Sequence, residues 1–188
     1  MHPNSQKGMT SSSKQNWRTP PALFKWVEDY LDIRFTLDVA ADDENHLCPL
    51  YMTKEHSALE QSWGHDSLGN RMNVWCNPPY NLVKEFCSKA VEEVESNNVD
   101  VAILLIPART DTKWFHDIIL PNASNVWFIK GRINFIDSDS ENNNLKSCAM
   151  FPSMLVEFSK FQQGIALRGL ELPMDVRRPR VENKGGVQ

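Results

Sequence analysis

Apolar residues in this chain gather into short continuous runs, several closed by a proline or by small residues. Phe35–Ala40 (FTLDVA) ends on small residues, and Asn73–Cys76 is stopped by Pro78-Pro79 just beyond it. Val101–Ile106 (VAILLI) runs into Pro107, and Val126–Ile129 and Met154–Phe158 complete the set. Unbroken apolar strands imply a sheet covered on both faces, usually a parallel one. Helical spacing lies between the runs. Thr19-Pro20-Pro21 opens a helix in which Thr19 caps, the prolines suit the first turn, and Leu23, Trp26, Val27 and Tyr30 share a face. Val83–Val94 and Thr112–Leu120 carry the same period. Alternating strands and helices predict an α/β fold, a doubly wound and mostly parallel sheet with helices on both faces. Ligands of such sheets bind beyond the carboxyl ends of the strands, so chemistry is expected in the residues that follow each strand.

The ends of the chain have a different character. Residues 1–15 are polar and serine-rich and read as a disordered lead-in, with order starting near Trp17. One domain is expected over 16–175, interrupted by a polar, asparagine-rich loop at 137–147. Residues 176–188, with Arg177, Arg178 and Arg180, read as a basic flexible tail. The 188 residues are 41% hydrophobic and 23% charged, a mixture that buries one core. A formal charge of −4 leaves any nucleic-acid binding to local patches.

Cys48, Cys76, Cys87 and Cys148 are scattered, and no secretory segment is evident. The chain is therefore expected to be reduced and cytoplasmic. His46, Cys48 and His56 match no zinc spacing, so no metal is expected. No apolar run is long enough for a membrane span.

The chemistry is concentrated in Asn77-Pro78-Pro79-Tyr80, directly after a buried-type strand. Two prolines donate no backbone hydrogen bond, so they end the ladder and stiffen the turn. The amide oxygen of Asn77 and the carbonyl of Pro78 then offer two acceptors to an NH2 group, and Tyr80 offers a stacking face. An exocyclic amine on adenine is a poor nucleophile because its lone pair is delocalised into the ring. Accepting both of its hydrogens draws the nitrogen toward tetrahedral geometry and returns the lone pair for direct in-line methyl transfer. The bland alternative is an ordinary Asn-Pro-Pro turn.

The motif matches that of amino-methyltransferases, and the longer pattern resembles the phage Dam-type DNA N6-adenine methyltransferases. The stretches that carry it are WRTPPALF (17–24), FTLDVAADDEN (35–45), WCNPPY (75–80), IPARTDTKWFH (106–116), FIKGRINF (128–135) and PSMLVEF (152–158). The resemblance implies a Rossmann-like methyltransferase sheet, S-adenosylmethionine as cofactor and double-stranded DNA as substrate, with the adenine flipped out against Tyr80. It implies that Asn77, Pro78, Pro79 and Tyr80 are catalytic. Thr19 and Pro20 would contact the methionine end of the cofactor, with Asp38, Ala40, Ala41, Asn45 and Ser57 lining the rest. Arg109, Lys113 and Arg132 would meet DNA phosphates, and Phe135 would flank the base.

Alternatives stay open at several positions. Asp38 also reads as a strand-end carboxylate capping a loop, Thr110 or Asp111 as helix caps, and Phe135 as core packing. The sequence departs from many methyltransferases in having Ala40-Ala41-Asp42-Asp43 where a glycine-rich loop stands, and Ser57-Ala58 where an acid is expected. A cytosine C5 enzyme is set aside because no Pro-Cys occurs. An N4-cytosine enzyme usually begins its motif with serine rather than Asn77. The remaining rivals are an RNA or protein-glutamine N-methyltransferase, and a non-catalytic DNA-binding module on the same fold.

Overall fold

The computed structural model describes residues 17–64, 68–137, 147–149, 151–161 and 164–177. The expected lead-in, the asparagine-rich loop apart from its ends, and the tail after Arg177 lie outside the described residues.

In chain order the strands are β1 (Trp17–Arg18), β2 (Leu37–Asp38), β3 (Leu50–Tyr51), β4 (Met72–Cys76) and β5 (Val99–Pro107). They continue with β6 (Asn125–Ile129), β7 (Asn134–Asp137), β8 (Ser147–Cys148), β9 (Ser153–Ser159) and β10 (Ala166–Leu170). The α-helices are α1 (Pro21–Leu31), α2 (Val83–Glu95) and the short α3 (Leu120–Asn122) and α4 (Met174–Arg177).

The main sheet has the order β10-β6-β9-β5-β4-β2-β3, and β1-β7-β8 form a small second sheet. Every neighbouring pair in the main sheet is parallel except those made by β9, which runs antiparallel between β5 and β6. The sheet is thus mostly parallel, and the apolar run Met154–Phe158 is its one reversed strand. Burial on both faces produces the same unbroken apolar run in either direction, so composition leaves the direction open.

Alternate residues of β5 serve opposite faces. Ala102, Leu104 and Ile106 pack with Val83, Phe86, Cys87, Ala90 and Val94 of α2. Val101, Ile103 and Leu105 belong to a second core with Leu23, Phe24 and Val27 of α1. Val176, the first residue of the expected tail, is buried in that second core as part of α4.

Three local expectations are corrected. Thr19 does not cap α1: Pro20 is the N-cap residue, and its carbonyl accepts from the backbone of Leu23 and Phe24. With Pro21 at the first helical position, one amide that a cap would satisfy is already missing. The buried face of α1 is Leu23, Phe24, Val27 and Glu28, while Tyr30 is exposed and stacks on Trp26. The helix expected over Thr112–Leu120 widens into a π-helical stretch at Phe115–Ile119, which points Phe115 and Ile119 into the core. It is entered at Thr112, whose carbonyl accepts from Phe115 and His116; neither Thr110 nor Asp111 occupies the cap.

Candidate active site

From β2 the chain moves outward to β3 and then returns to the opposite side of β2 as β4. The loops after β2 and β4 therefore diverge at a topological switch point, where open α/β sheets hold ligands. A cleft of about 480 Å³ lies there. Its lining unites residues far apart in sequence: Trp17, Arg18 and Thr19; Asp38 to Asp42 with Asn45; Ser57 to Leu59; and Asn77 with Pro79. Small-molecule sites commonly have this size. Of the residues expected to hold a cofactor, Thr19, Asp38, Ala40, Ala41, Asn45 and Ser57 line the cleft and Pro20 does not.

Asn77 follows β4 at the head of the cleft. Its Nδ2 donates to the Trp17 carbonyl at 2.6 Å, which fixes the amide plane. Oδ1 then faces away from Trp17 and accepts no hydrogen bond among the described residues. Pro79 O is taken by the Leu82 amide, whereas no backbone amide of the described residues donates to Pro78 O. The turn therefore keeps two acceptors free, one from the side chain and one from the backbone. Tyr80 is largely buried beside it, and burial pushes its phenol up to about 12.

Asp38 ends β2 and is 3% exposed. Oδ1 accepts from the Ala40 amide and Oδ2 from the Leu47 amide, both at 3.2 Å. Burial pushes its pKa up to about 6, against the pull of those two amides. Both oxygens help to shape the loop 39–47, as the capping alternative expects, and Asp38 also lines the cleft. The turn Asp42–Asn45 continues the same loop, with Asp42 Oδ1 accepting from the amides of Glu44 and Asn45.

Thr19 is 1% exposed, and its Oγ1 has no hydrogen-bond partner among the described residues. An unpaired buried hydroxyl costs about 1–3 kcal/mol. Thr19 is among the residues that line the cleft, so its hydroxyl is an unused polar group at the cleft wall. The small side chains at 40 and 41 allow close backbone approach, and these residues fit S-adenosylmethionine.

The residues expected to meet DNA are not in the cleft. Arg109 is exposed on the loop after β5, Lys113 is exposed in the first turn of the helix that follows it, and Arg132 lies half-buried on the loop after β6. All three sit at the carboxyl edge that carries Asn77. Three interstrand steps separate β4 from β6, roughly 15 Å. The Arg109 guanidinium lies 4.6 Å above the Phe151 ring, whose edge meets Tyr80 with centroids 6.5 Å apart. Sequence reasoning passed over Phe151, whose only local signal is its place before Pro152 and the final apolar run. Phe135 is 1% exposed, packed in the second core and 6.3 Å from the Trp17 ring, so it fills the core rather than facing the cleft.

Burial pushes the Cys87 thiol up to about 12 and raises those of Cys48 and Cys76 as well, which keeps them protonated and poor nucleophiles. Among the described residues there is no cluster of three His, Cys, Asp or Glu side chains able to hold a metal. Nor is any of their helices long and apolar enough to cross a membrane.

Comparison with known proteins locates this geometry. The DNA N-6-adenine-methyltransferase (Dam) family matches residues 6–186. The chain belongs to this family. It is 31% identical over 152 residues to the DNA N-6-adenine-methyltransferase of Haemophilus phage HP1, covering 78% of this chain and 80% of that protein. It is 33% identical over 112 residues to the protein of the same name from Escherichia phage T1. That match covers 59% of this chain and 43% of the T1 protein, so the chain spans less than half the length of that relative. In this Dam-family chain, the 6–186 span matched by the family contains the whole cleft and the Asn77 turn.

Proposed function

We propose that the protein is an S-adenosylmethionine-dependent DNA adenine-N6 methyltransferase acting on a flipped-out adenine in double-stranded DNA. Family membership supports the reaction class and the DNA substrate. The sheet order and the cleft at its switch point support a Rossmann-like methyltransferase fold. The observation that carries the chemistry is Asn77: its Nδ2 is tied to Trp17 O, and its Oδ1 stands free beside the free carbonyl of Pro78.

Thr19, Ala40, Ala41, Asn45 and Ser57 would hold S-adenosylmethionine along the cleft, on a loop shaped by Asp38. When bound, that cofactor supplies an electrophilic methyl group. Asn77 Oδ1 and Pro78 O accept the two amino hydrogens of adenine and restore its lone pair. The nitrogen would form its bond to the methyl as the sulfonium C–S bond breaks, that bond's electron pair staying on sulfur as a thioether, and would give up one proton to water. Both acceptors are fixed before the reaction, so no dipole reorganises in the transition state. Tyr80 stacks on the base, which offsets an unstacking cost of a few kcal/mol. Arg109, Lys113 and Arg132 would lie along the phosphates. The enzyme would work in the cytoplasm, where its DNA is.

Transfer of tritiated methyl to unmethylated DNA, followed by nucleoside analysis, tests this. Label in N6-methyladenine is expected, and label in RNA or in protein glutamine alone would refute it. Asn77→Ala should lower turnover about a hundredfold at unchanged cofactor affinity, the effect of losing one preorganised acceptor worth roughly 3 kcal/mol. Tyr80→Phe should keep most activity and Tyr80→Ala should lose it, since stacking is worth roughly 1–3 kcal/mol. If the phenylalanine and alanine variants were equally inactive, the stacking role would fall.

A further inference from the structure

The amide of Asn77 is held by a backbone carbonyl 60 residues away, and that carbonyl belongs to a strand of only two residues. Such a strand has little stability of its own. On one side β1 pairs with β7, Trp17 opposite Asp137 and Arg18 opposite Ile136. On the other side it is tied by Arg18. The guanidinium meets Asp42 through two parallel contacts, Nε to Oδ2 and NH2 to Oδ1, both 3.0 Å, and NH2 also reaches Glu44 at 3.1 Å. The Arg18 side chain is 14% exposed although its acidic partners are more open.

Three consecutive residues therefore do three different things. Trp17 orients the acceptor amide, Arg18 grips the loop after β2, and Thr19 lines the cleft with its buried hydroxyl unpaired among the described residues. Asp42 is also the hub of its own turn, taking the amides of Glu44 and Asn45 on Oδ1. A fork-shaped cation that meets a carboxylate bidentately fixes orientation as well as distance, which a lysine does not.

We propose that Arg18 is a positioning residue that couples the cofactor loop to the catalytic amide, through its Asp42 fork and the adjacent Trp17 carbonyl. This rests on the reading of the cleft as a cofactor site. The loop and Asn77 stand on neighbouring strands, β2 and β4, yet their side chains make no direct bond among the described residues. Backbone pairing of β2 with β4, continued by the Val39 amide on the Trp75 carbonyl, sets the spacing of the two strands. Arg18 adds the side-chain link that ties the far part of the loop, at Asp42, to the carbonyl that orients the Asn77 amide.

The test compares Arg18→Ala, Arg18→Lys and Asp42→Asn with the wild-type chain. Side-chain amide resonances of Asn77, read by NMR without ligand, should show slow exchange in the wild type and faster exchange in all three variants. Turnover should fall on the order of a hundredfold in Arg18→Ala, the scale of a misplacement near 1 Å, with KM for DNA unchanged. Arg18→Lys should restore less than a tenth of that loss. Free guanidinium should not rescue Arg18→Ala, because it neutralises Asp42 without being joined to Trp17. Rescue by guanidinium, or Asn77 exchange and turnover within twofold of wild type in folded Arg18→Lys, would overturn the proposal. Calorimetry separates the two readings: a wild type that binds no S-adenosylmethionine but shows the Asn77 coupling would refute the cofactor assignment alone.

Discussion

Replacing Glu93 with alanine should be among the most destabilising single changes in this protein. Glu93 lies on α2 and is 2% exposed. Its Oε1 meets Lys89 Nζ at 2.6 Å, and its Oε2 accepts from the Trp63 amide at 3.0 Å, Asn98 Nδ2 at 2.9 Å and Ser62 Oγ at 3.2 Å. Trp63 is itself fully buried and donates its indole N–H to the Ala58 carbonyl at 2.8 Å, so the network ends at the cleft wall. Glu93→Ala leaves the Lys89 ammonium, whose side chain is 10% exposed, with only the longer contact to Glu92 Oε2 at 3.5 Å, and leaves the Trp63 amide unpaired. Breaking a buried pair by removing one partner costs about 3–5 kcal/mol. That is a large part of the roughly 5–15 kcal/mol that holds a domain together. Glu93→Gln keeps an acceptor for Trp63 and should cost less, about 1.5–3 kcal/mol for the lost charged bonds.

Urea unfolding at neutral pH measures both changes, and the denaturant slope should stay constant. Burial alone would raise the pKa of Glu93, but the bonds from Lys89, Asn98 and Trp63 outweigh it and hold the group below its ordinary 4.5. A depressed folded pKa contributes stability above the unfolded value and loses it as pH falls through the folded one. The difference between wild type and Glu93→Ala should accordingly shrink in acid. A loss below about 1 kcal/mol at pH 7, or one that grew in acid, would refute the reasoning.

Thr19→Val removes a buried hydroxyl that has no partner among the described residues, so it should leave the ligand-free fold equally or more stable, by up to about 1 kcal/mol, while weakening S-adenosylmethionine binding. Equal cofactor affinity by calorimetry would detach Thr19 from the site. Asp38 carries the opposite pH signature to Glu93: a folded pKa near 6 against 3.8 contributes stability that is full below about 3.8 and lost as pH rises through 6. The effect is roughly 3 kcal/mol, and Asp38→Asn should abolish that slope in thermal melts between pH 4 and 6. Alanine at Arg109, Lys113 or Arg132 should weaken DNA binding and lower the salt slope by about one each, without touching cofactor affinity. Unchanged slopes in all three variants would remove these residues from the DNA face.

The sequence by itself determined the layer structure and the turn that ends β4. Unbroken apolar runs such as Val101–Ile106 require cover on both faces, and the helical spacing of Val83–Val94 supplies it; both follow from short-range periodicity. Asn77-Pro78-Pro79-Tyr80 was legible for the same reason, because two prolines end a strand wherever they occur. Tertiary structure alone decided what depends on distant partners. The antiparallel direction of β9, the core position of Phe135, and Phe151 against Tyr80 and Arg109 leave no local pattern. Strands of two residues, such as β1 and β2, are too short to show a period. The contacts that organise the cleft join Arg18 to a carboxylate 24 residues on and Asn77 to a carbonyl 60 residues back. Such bonds form only after loop closure, whose entropy the packed sheet has already offset, so nothing in the neighbouring residues announces them.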